Sequence, residues 1–134
     1  MFNVNQVISK DKANNMNPVV LAFLGDAVYS LYIREKFAFS SDLKSGQLHK
    51  LSSANVNATS QSVFITKLMP YLNEEELSIY KRARNAKKAT KAKSSTIADY
   101  NRATGLEALI GFLYITGNYE RLNYLLNLEV QNEN

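Results

Sequence analysis

Residues 19–37, VVLAFLGDAVYSLYIREKF, form a long run of helix-forming, mostly apolar side chains that is broken in its middle by one acid, Asp26, directly after Gly25. Asn17 and Pro18 precede it as an N-cap and first-turn pair, so the spacing predicts a helix from Pro18 to about Phe37. An ionised carboxylate without a partner in an apolar interior costs several kcal/mol, about the net stability of a small domain. If the face around Asp26 is buried, something must compensate its charge.

The rest of the chain repeats the helical pattern. Leu43, Leu48, Leu51, Ala54, Val63, Phe64 and Leu68 recur at near-helical spacing, which predicts two helices with a break near Asn55 to Thr59 and a stop at Pro70. Asn73 with Glu76 three residues later is the pattern of a capping box, and the helix it opens has acids in its first turn and bases in its last. IADYNRATGLEALIGFLYITGN, residues 97–118, restarts an apolar helix that Gly117 can end, and YERLNYLLNLEV, residues 119–130, reads as a final amphipathic one. No stretch alternates with period two long enough to form a sheet. The expected fold class is all-α, with residues 1–134 as a single domain.

Composition narrows the chemistry. The chain has no cysteine and one histidine, His49, which excludes a disulfide framework, a thiolate metal site and multi-histidine zinc within one chain. His49, beside Leu48 and Leu51, reads as a packing or hydrogen-bonding residue rather than a catalytic base. The first residues lack the apolar core of a signal peptide, and VVLAFL is far short of the roughly 20 residues that cross a bilayer, so a cytoplasmic protein with no membrane contact is expected. Residues 81–93, KRARNAKKATKAK, hold seven of the sixteen basic residues and none of the twelve acids. The remainder carries three net negative charges. A slightly acidic body with one strongly basic segment suits a local polyanion contact, although such a segment can also be a solvated loop.

Glu107 repeats the puzzle of Asp26. It is the one charge in GLEALIGFLYITG, residues 105–117, with Ala103, Thr104, Ile110 and Gly111 as helical neighbours. Asp26 has Ala22, Phe23, Tyr29 and Ser30. Each acid alone fits a structural role, hydrogen-bonded to a helix N-terminus, a tyrosine or an arginine. Two of them facing one cleft would instead suit a divalent cation with oxygen ligands, and magnesium needs few protein carboxylates. Beside a polybasic segment, such a site points to phosphodiester chemistry. The segment has no aromatic stacking platform, which favours a duplex backbone over a single strand. Residue chemistry alone does not separate RNA from DNA.

LAFLGDAVY, residues 21–29, resembles the E-R-L-E-F-L-G-D-A-V signature of the ribonuclease III family, and LEALIGFLYI, residues 106–115, resembles its second metal-binding helix, D-x-x-E-A-L-I-G-A-I-Y. SGQLHKL, residues 45–51, resembles the intervening E-G-x-L segment. Order and spacing agree over about residues 15–128. The length, together with RARNAK at residues 82–87, is similar to the short branch of the family, the Mini-ribonucleases III, which lack the double-stranded RNA-binding domain.

That resemblance implies an all-helical homodimer that cuts double-stranded RNA with Mg2+, leaves 5′-phosphate and 3′-hydroxyl ends, and matures the 23S ribosomal RNA precursor. It assigns Asp26 and Glu107 as the catalytic, metal-holding acids. Arg82, Arg84, Asn85, Lys87, Lys88, Lys91 and Lys93 would grip RNA in place of the missing domain. Three family acids are replaced here, by Ala22, Thr104 and Ser45, which implies weaker metal binding by the free protein. No residue pattern specifies a ribosomal-protein helper. Two other readings remain at this point: a non-catalytic duplex-RNA-binding or ribosome-assembly factor, and a helical module that docks its basic segment on an acidic protein.

Overall fold

The computed structural model describes residues 6–40, 45–88 and 95–132, and every described element is helical. In chain order these are α1 (Lys10–Asn14), α2 (Pro18–Ser40), α3 (Ser45–Asn55), α4 (Ala58–Leu68), a 3-10 turn (Met69–Tyr71), α5 (Glu74–Asn85), α6 (Ile97–Ile115) and α7 (Tyr119–Asn132).

The helix ends follow local chemistry. Asn17 Oδ1 accepts from the Val19 backbone N–H at 2.9 Å, and Pro18 opens α2 as expected. That helix runs to Ser40 rather than Phe37, because no glycine or proline stops it there. The predicted break falls at Val56 and Asn57, where the Asn57 side chain accepts from Ser60 N–H at 2.8 Å and caps α4. The Asn73–Glu76 capping box forms reciprocally, with bonds of 2.8 and 3.0 Å. Gly117 takes φ +75°, the left-handed conformation that ends α6. The short α1, capped by Ser9, was not anticipated. It buries only Ala13, so its apolar signal is too small to read.

α6 is the hub. Ala103–Leu106 and Ala108–Leu113 are all buried, so the helix is enclosed nearly all round, with α2, α4 and α5 packed on it. The closest approach is to α2. A Cβ on Gly25 would run into the Glu107 carbonyl oxygen, and one on Gly111 into that of Leu21. Only glycine lets these backbones meet, and this crossing brings the Asp26 stretch against the Glu107 stretch. α7 closes the core through Leu122, Leu125, Leu126 and Leu128, and Tyr32 of α2 donates to the Leu126 carbonyl at 3.2 Å.

Among the described residues the most deeply buried acid is neither Asp26 nor Glu107. Glu76 is 1% exposed and pairs with Arg121 through Nε–Oε2 and Nη2–Oε1 contacts of 2.8 Å each. Burial raises its carboxyl, but the Arg121 hydrogen bonds, the Asn73 backbone N–H and the nearby positive charge outweigh that and hold it below the ordinary carboxylate value. This acid has its own arginine and is structural.

Candidate active site

The crossing of α2 and α6 forms one wall of a cavity of about 240 Å³ lined by Val19, Ala22, Phe23, Asp26, Lys88, Tyr100, Thr104 and Glu107. The two acids singled out in the sequence therefore share one pocket, although they lie 81 positions apart in the chain. Ala22 and Thr104, two of the positions where the family pattern has further acids, line the same pocket. Thr104 spends its hydroxyl on the Tyr100 carbonyl, at 2.9 Å. Among the described residues no cluster of three or more His, Cys, Asp or Glu occurs, so the acid content of the pocket is this pair.

The burial of the pair is asymmetric, which corrects the expectation for Asp26. Asp26 is exposed at the rim, because its part of α2 turns away from the core, and Phe23 beside it is 82% exposed. The electrostatic burden falls on Glu107. The Glu107 carboxyl is pushed up to about 8, chiefly by burial and then by the hydrogen bond and negative charge of Asp26, with the Gln61 side chain opposing them. Gln61 is buried and donates from Nε2 to Glu107 Oε2 at 3.4 Å. Sequence reasoning missed Gln61. A glutamine early in an amphipathic helix looks like any surface glutamine until α4 is packed on α6.

The basic residues divide by position. Arg82, Asn85 and Lys87 are exposed at the end of α5 and just beyond it. Arg84 is half-buried, with its guanidinium 5.4 Å from the Tyr80 ring centroid and Nε donating to Asn85 Oδ1 at 3.2 Å. Lys88 leaves the surface and folds into the acidic cavity, donating from Nζ to the Arg84 and Ala86 carbonyls at 3.1 and 2.7 Å. Burial lowers its ammonium pKa. Lys91 and Lys93 lie outside the described residues. His49 is exposed and lines a separate cleft, so it does not pack in the core as its leucine neighbours suggested.

The Ribonuclease III domain profile matches residues 19–118. The chain belongs to the ribonuclease III family.

Within that family it falls among short relatives. It is 41% identical over 128 residues to Mini-ribonuclease 3 of Clostridium tetani, covering 95% of this chain and 85% of that one. It is 49% identical over 109 residues to Mini-ribonuclease 3 of Brevibacillus brevis, covering 81% of each. The crystal structure of a Fusobacterium nucleatum protein superposes with a TM-score of 0.78 at 36% identity, covering 90% of this chain and 96% of that one. As a ribonuclease III-type enzyme the protein is an endoribonuclease, a phosphodiester hydrolase of the class that acts on double-stranded RNA. Enzymes of the ribonuclease III family generally work with a divalent metal ion. Among the described residues no helix is long and apolar enough to cross a membrane.

Proposed function

We propose that the protein is a Mg2+-dependent endoribonuclease of the cytoplasm that matures the 23S ribosomal RNA precursor as a homodimer, with Asp26 and Glu107 as catalytic and metal-holding acids, and that its 134 residues act as one catalytic domain. The observation that carries this reading is the shared cavity of Asp26 and Glu107, in which Glu107 prefers to keep a proton. A half-buried acid poised that way is destabilised when ionised by itself, and a divalent cation removes the penalty by replacing the proton. The donor set fits magnesium: two carboxyl groups, with room left for water and phosphate oxygens. When bound, the ion supplies charge neutralisation at the scissile phosphate and acidifies the attacking water.

The chain's own groups supply the rest. Asp26, exposed at the rim, faces incoming RNA, while Glu107 fixes the inner edge and Gln61 orients its carboxyl. Lys88 has three ammonium hydrogens, two of them donated to carbonyls, so one remains for a phosphate oxygen in the cavity. Arg82, Asn85, Lys87, Lys91 and Lys93 grip flanking backbone, and Arg84 contributes from its place on Tyr80. Attack in line on the phosphorus with departure of the 3′ oxygen leaves 5′-phosphate and 3′-hydroxyl ends.

Dimerisation is supported by an apolar stripe on α2. Val20, Phe23, Ala27 and Leu31 follow helical spacing and are exposed, Phe23 at 82% and Leu31 at 58%. A second copy across this stripe would set two acid pairs side by side, one for each RNA strand. Phe23→Glu is expected to give monomers by sedimentation.

The deciding experiment incubates the protein with a labelled RNA duplex carrying the base of the 23S precursor stem, with and without Mg2+. Discrete cuts with Mg2+ are expected. Asp26→Asn should retain binding and circular dichroism but lose cleavage. An Asp26→Asn protein that still cuts would overturn the assignment, and wild type that binds equally in EDTA and Mg2+ without cutting would indicate a non-catalytic RNA-binding factor.

A further inference from the structure

The acid cavity holds a cation of its own. Lys88 lines it together with Asp26, Glu107, Ala22 and Thr104. Its ammonium donates to the Arg84 and Ala86 carbonyls at 3.1 and 2.7 Å, the first of them an acceptor left open by the last turn of α5. Two bonds to the end of one helix hold the nitrogen of an otherwise flexible side chain in place. Lys87, one position earlier, is exposed and does not line the cavity, so entry is particular to Lys88 and not a property of the basic run.

Tethered in this way, Lys88 pairs with neither acid. Among the described residues no lysine or arginine lies within ion-pair distance of Asp26 or Glu107, so the acids and the ammonium are separate charges around one space. When ionised, two carboxylates and one ammonium sum to one negative charge. Positions 22 and 104, where the family pattern has acids, add none. Among the described residues no third His, Cys, Asp or Glu joins the pair, which leaves too few ligands for two divalent ions. One such ion gives the cavity one positive charge, and a phosphodiester brings it to zero. A second ion would leave two positive charges uncompensated.

We propose that Lys88 is a catalytic residue that takes the place of a second metal ion, so that each centre works with one. The inference rests on the phosphodiesterase reading above and concerns the same site. The uncommitted N–H of Lys88 bonds a non-bridging oxygen of the scissile phosphate. As the water oxygen bonds to phosphorus, the P–O3′ bond breaks; the water gives up a proton, and O3′ takes the electron pair and gains a proton from solvent. Lys88 exchanges no proton. It offsets the negative charge that gathers on the phosphoryl oxygens, from a position fixed before the substrate arrives. The same ammonium repels a divalent ion in the free protein, so Lys88 weakens metal binding while it speeds the chemical step.

The test compares wild type, Lys88→Met and Lys88→Arg, with circular dichroism to confirm the fold. Wild type should bind one Mg2+ per chain by calorimetry, and its cleavage rate on saturating duplex RNA should rise with the first power of Mg2+ concentration below saturation. Lys88→Met should lower kcat about 100-fold and change KM by less than about threefold. Without RNA it should nonetheless bind Mg2+ about three- to tenfold more tightly, and Lys88→Arg should recover at least about a tenth of the wild-type rate. A residue that only props up the fold would lose both metal binding and cleavage, and that result overturns the inference. Two Mg2+ per chain, or a second-power dependence, in wild type overturns it whatever the variants do. Lys88→Met that cuts at the wild-type rate overturns it and leaves the acid pair standing. Wild type that cuts no duplex RNA overturns the catalytic reading and this inference with it.

Discussion

Metal binding by the acid pair should release a proton at neutral pH, and this can be measured without RNA. Glu107 titrates at about 8 because burial, and then Asp26, disfavour its charged form. At pH 7 about one molecule in ten, and at pH 6 about one in a hundred, has Glu107 ionised and ready for a cation. The apparent affinity for Mg2+ should therefore rise about tenfold per pH unit from 6 to 7, flatten above 8 and change little beyond 9, each unit being about 1.4 kcal/mol. Calorimetric titration of the free protein in two buffers of different ionisation heat should give nearly one proton released per site at pH 7 and about a tenth of one at pH 9. Asp26→Asn removes the charge that adds to the shift but not the burial that dominates it, so Glu107 should still titrate above the ordinary carboxylate range. A Mg2+ affinity that stays constant from pH 6 to 8, with no proton released, would refute the coupling and the placement of the ion between these two groups.

Three further outcomes follow from the packing. Because the folded state holds the Glu107 proton more tightly than the unfolded chain, whose carboxyl titrates near the ordinary value of 4.5, stability without metal should fall as pH rises from about 5 through 8. The slope should approach 1.4 kcal/mol per unit, and Glu107→Gln should remove it in urea titrations run in EDTA. Gly111→Ala forces a methyl group onto the Leu21 carbonyl, and since backbone must move, the loss should reach the upper end of the ~1–3 kcal/mol typical of overpacking. A denaturation midpoint within error of wild type would show that α2 and α6 are less tightly apposed. Arg121→Ala strands the buried Glu76 charge and should destabilise by about 3–5 kcal/mol, with cleavage intact at low temperature.

The helix ends were legible because each is decided within a few residues. Asn17 with Pro18, Asn73 with Glu76, and Gly117 satisfy or end the backbone locally, and the structure shows all three. The extension of α2 to Ser40 was not, because nothing local stops it. The same limit explains the acids. Asp26 and Glu107 look alike in sequence, each alone among apolar neighbours, yet one is exposed at a rim and the other is shielded, since only α6 is enclosed by other helices. Glu76 read as a capping residue, and so it is, but its deep burial depends on Arg121, 45 positions away. Lys88 read as one more cation in a basic run, and its turn into the cavity depends on carbonyls freed at the end of α5.

The sequence by itself determined that the chain is helical, where most helices start and stop, and which two acids stand out, because capping, propensity and periodicity act over one or two turns of backbone. Tertiary structure alone decided that those acids share a pocket, that Glu107 rather than Asp26 bears the desolvation, and that Gln61 and Lys88 stand beside them. Those outcomes depend on the glycine-mediated crossing of α2 with α6, where dielectric surroundings and charge proximity are set by segments far apart in the chain.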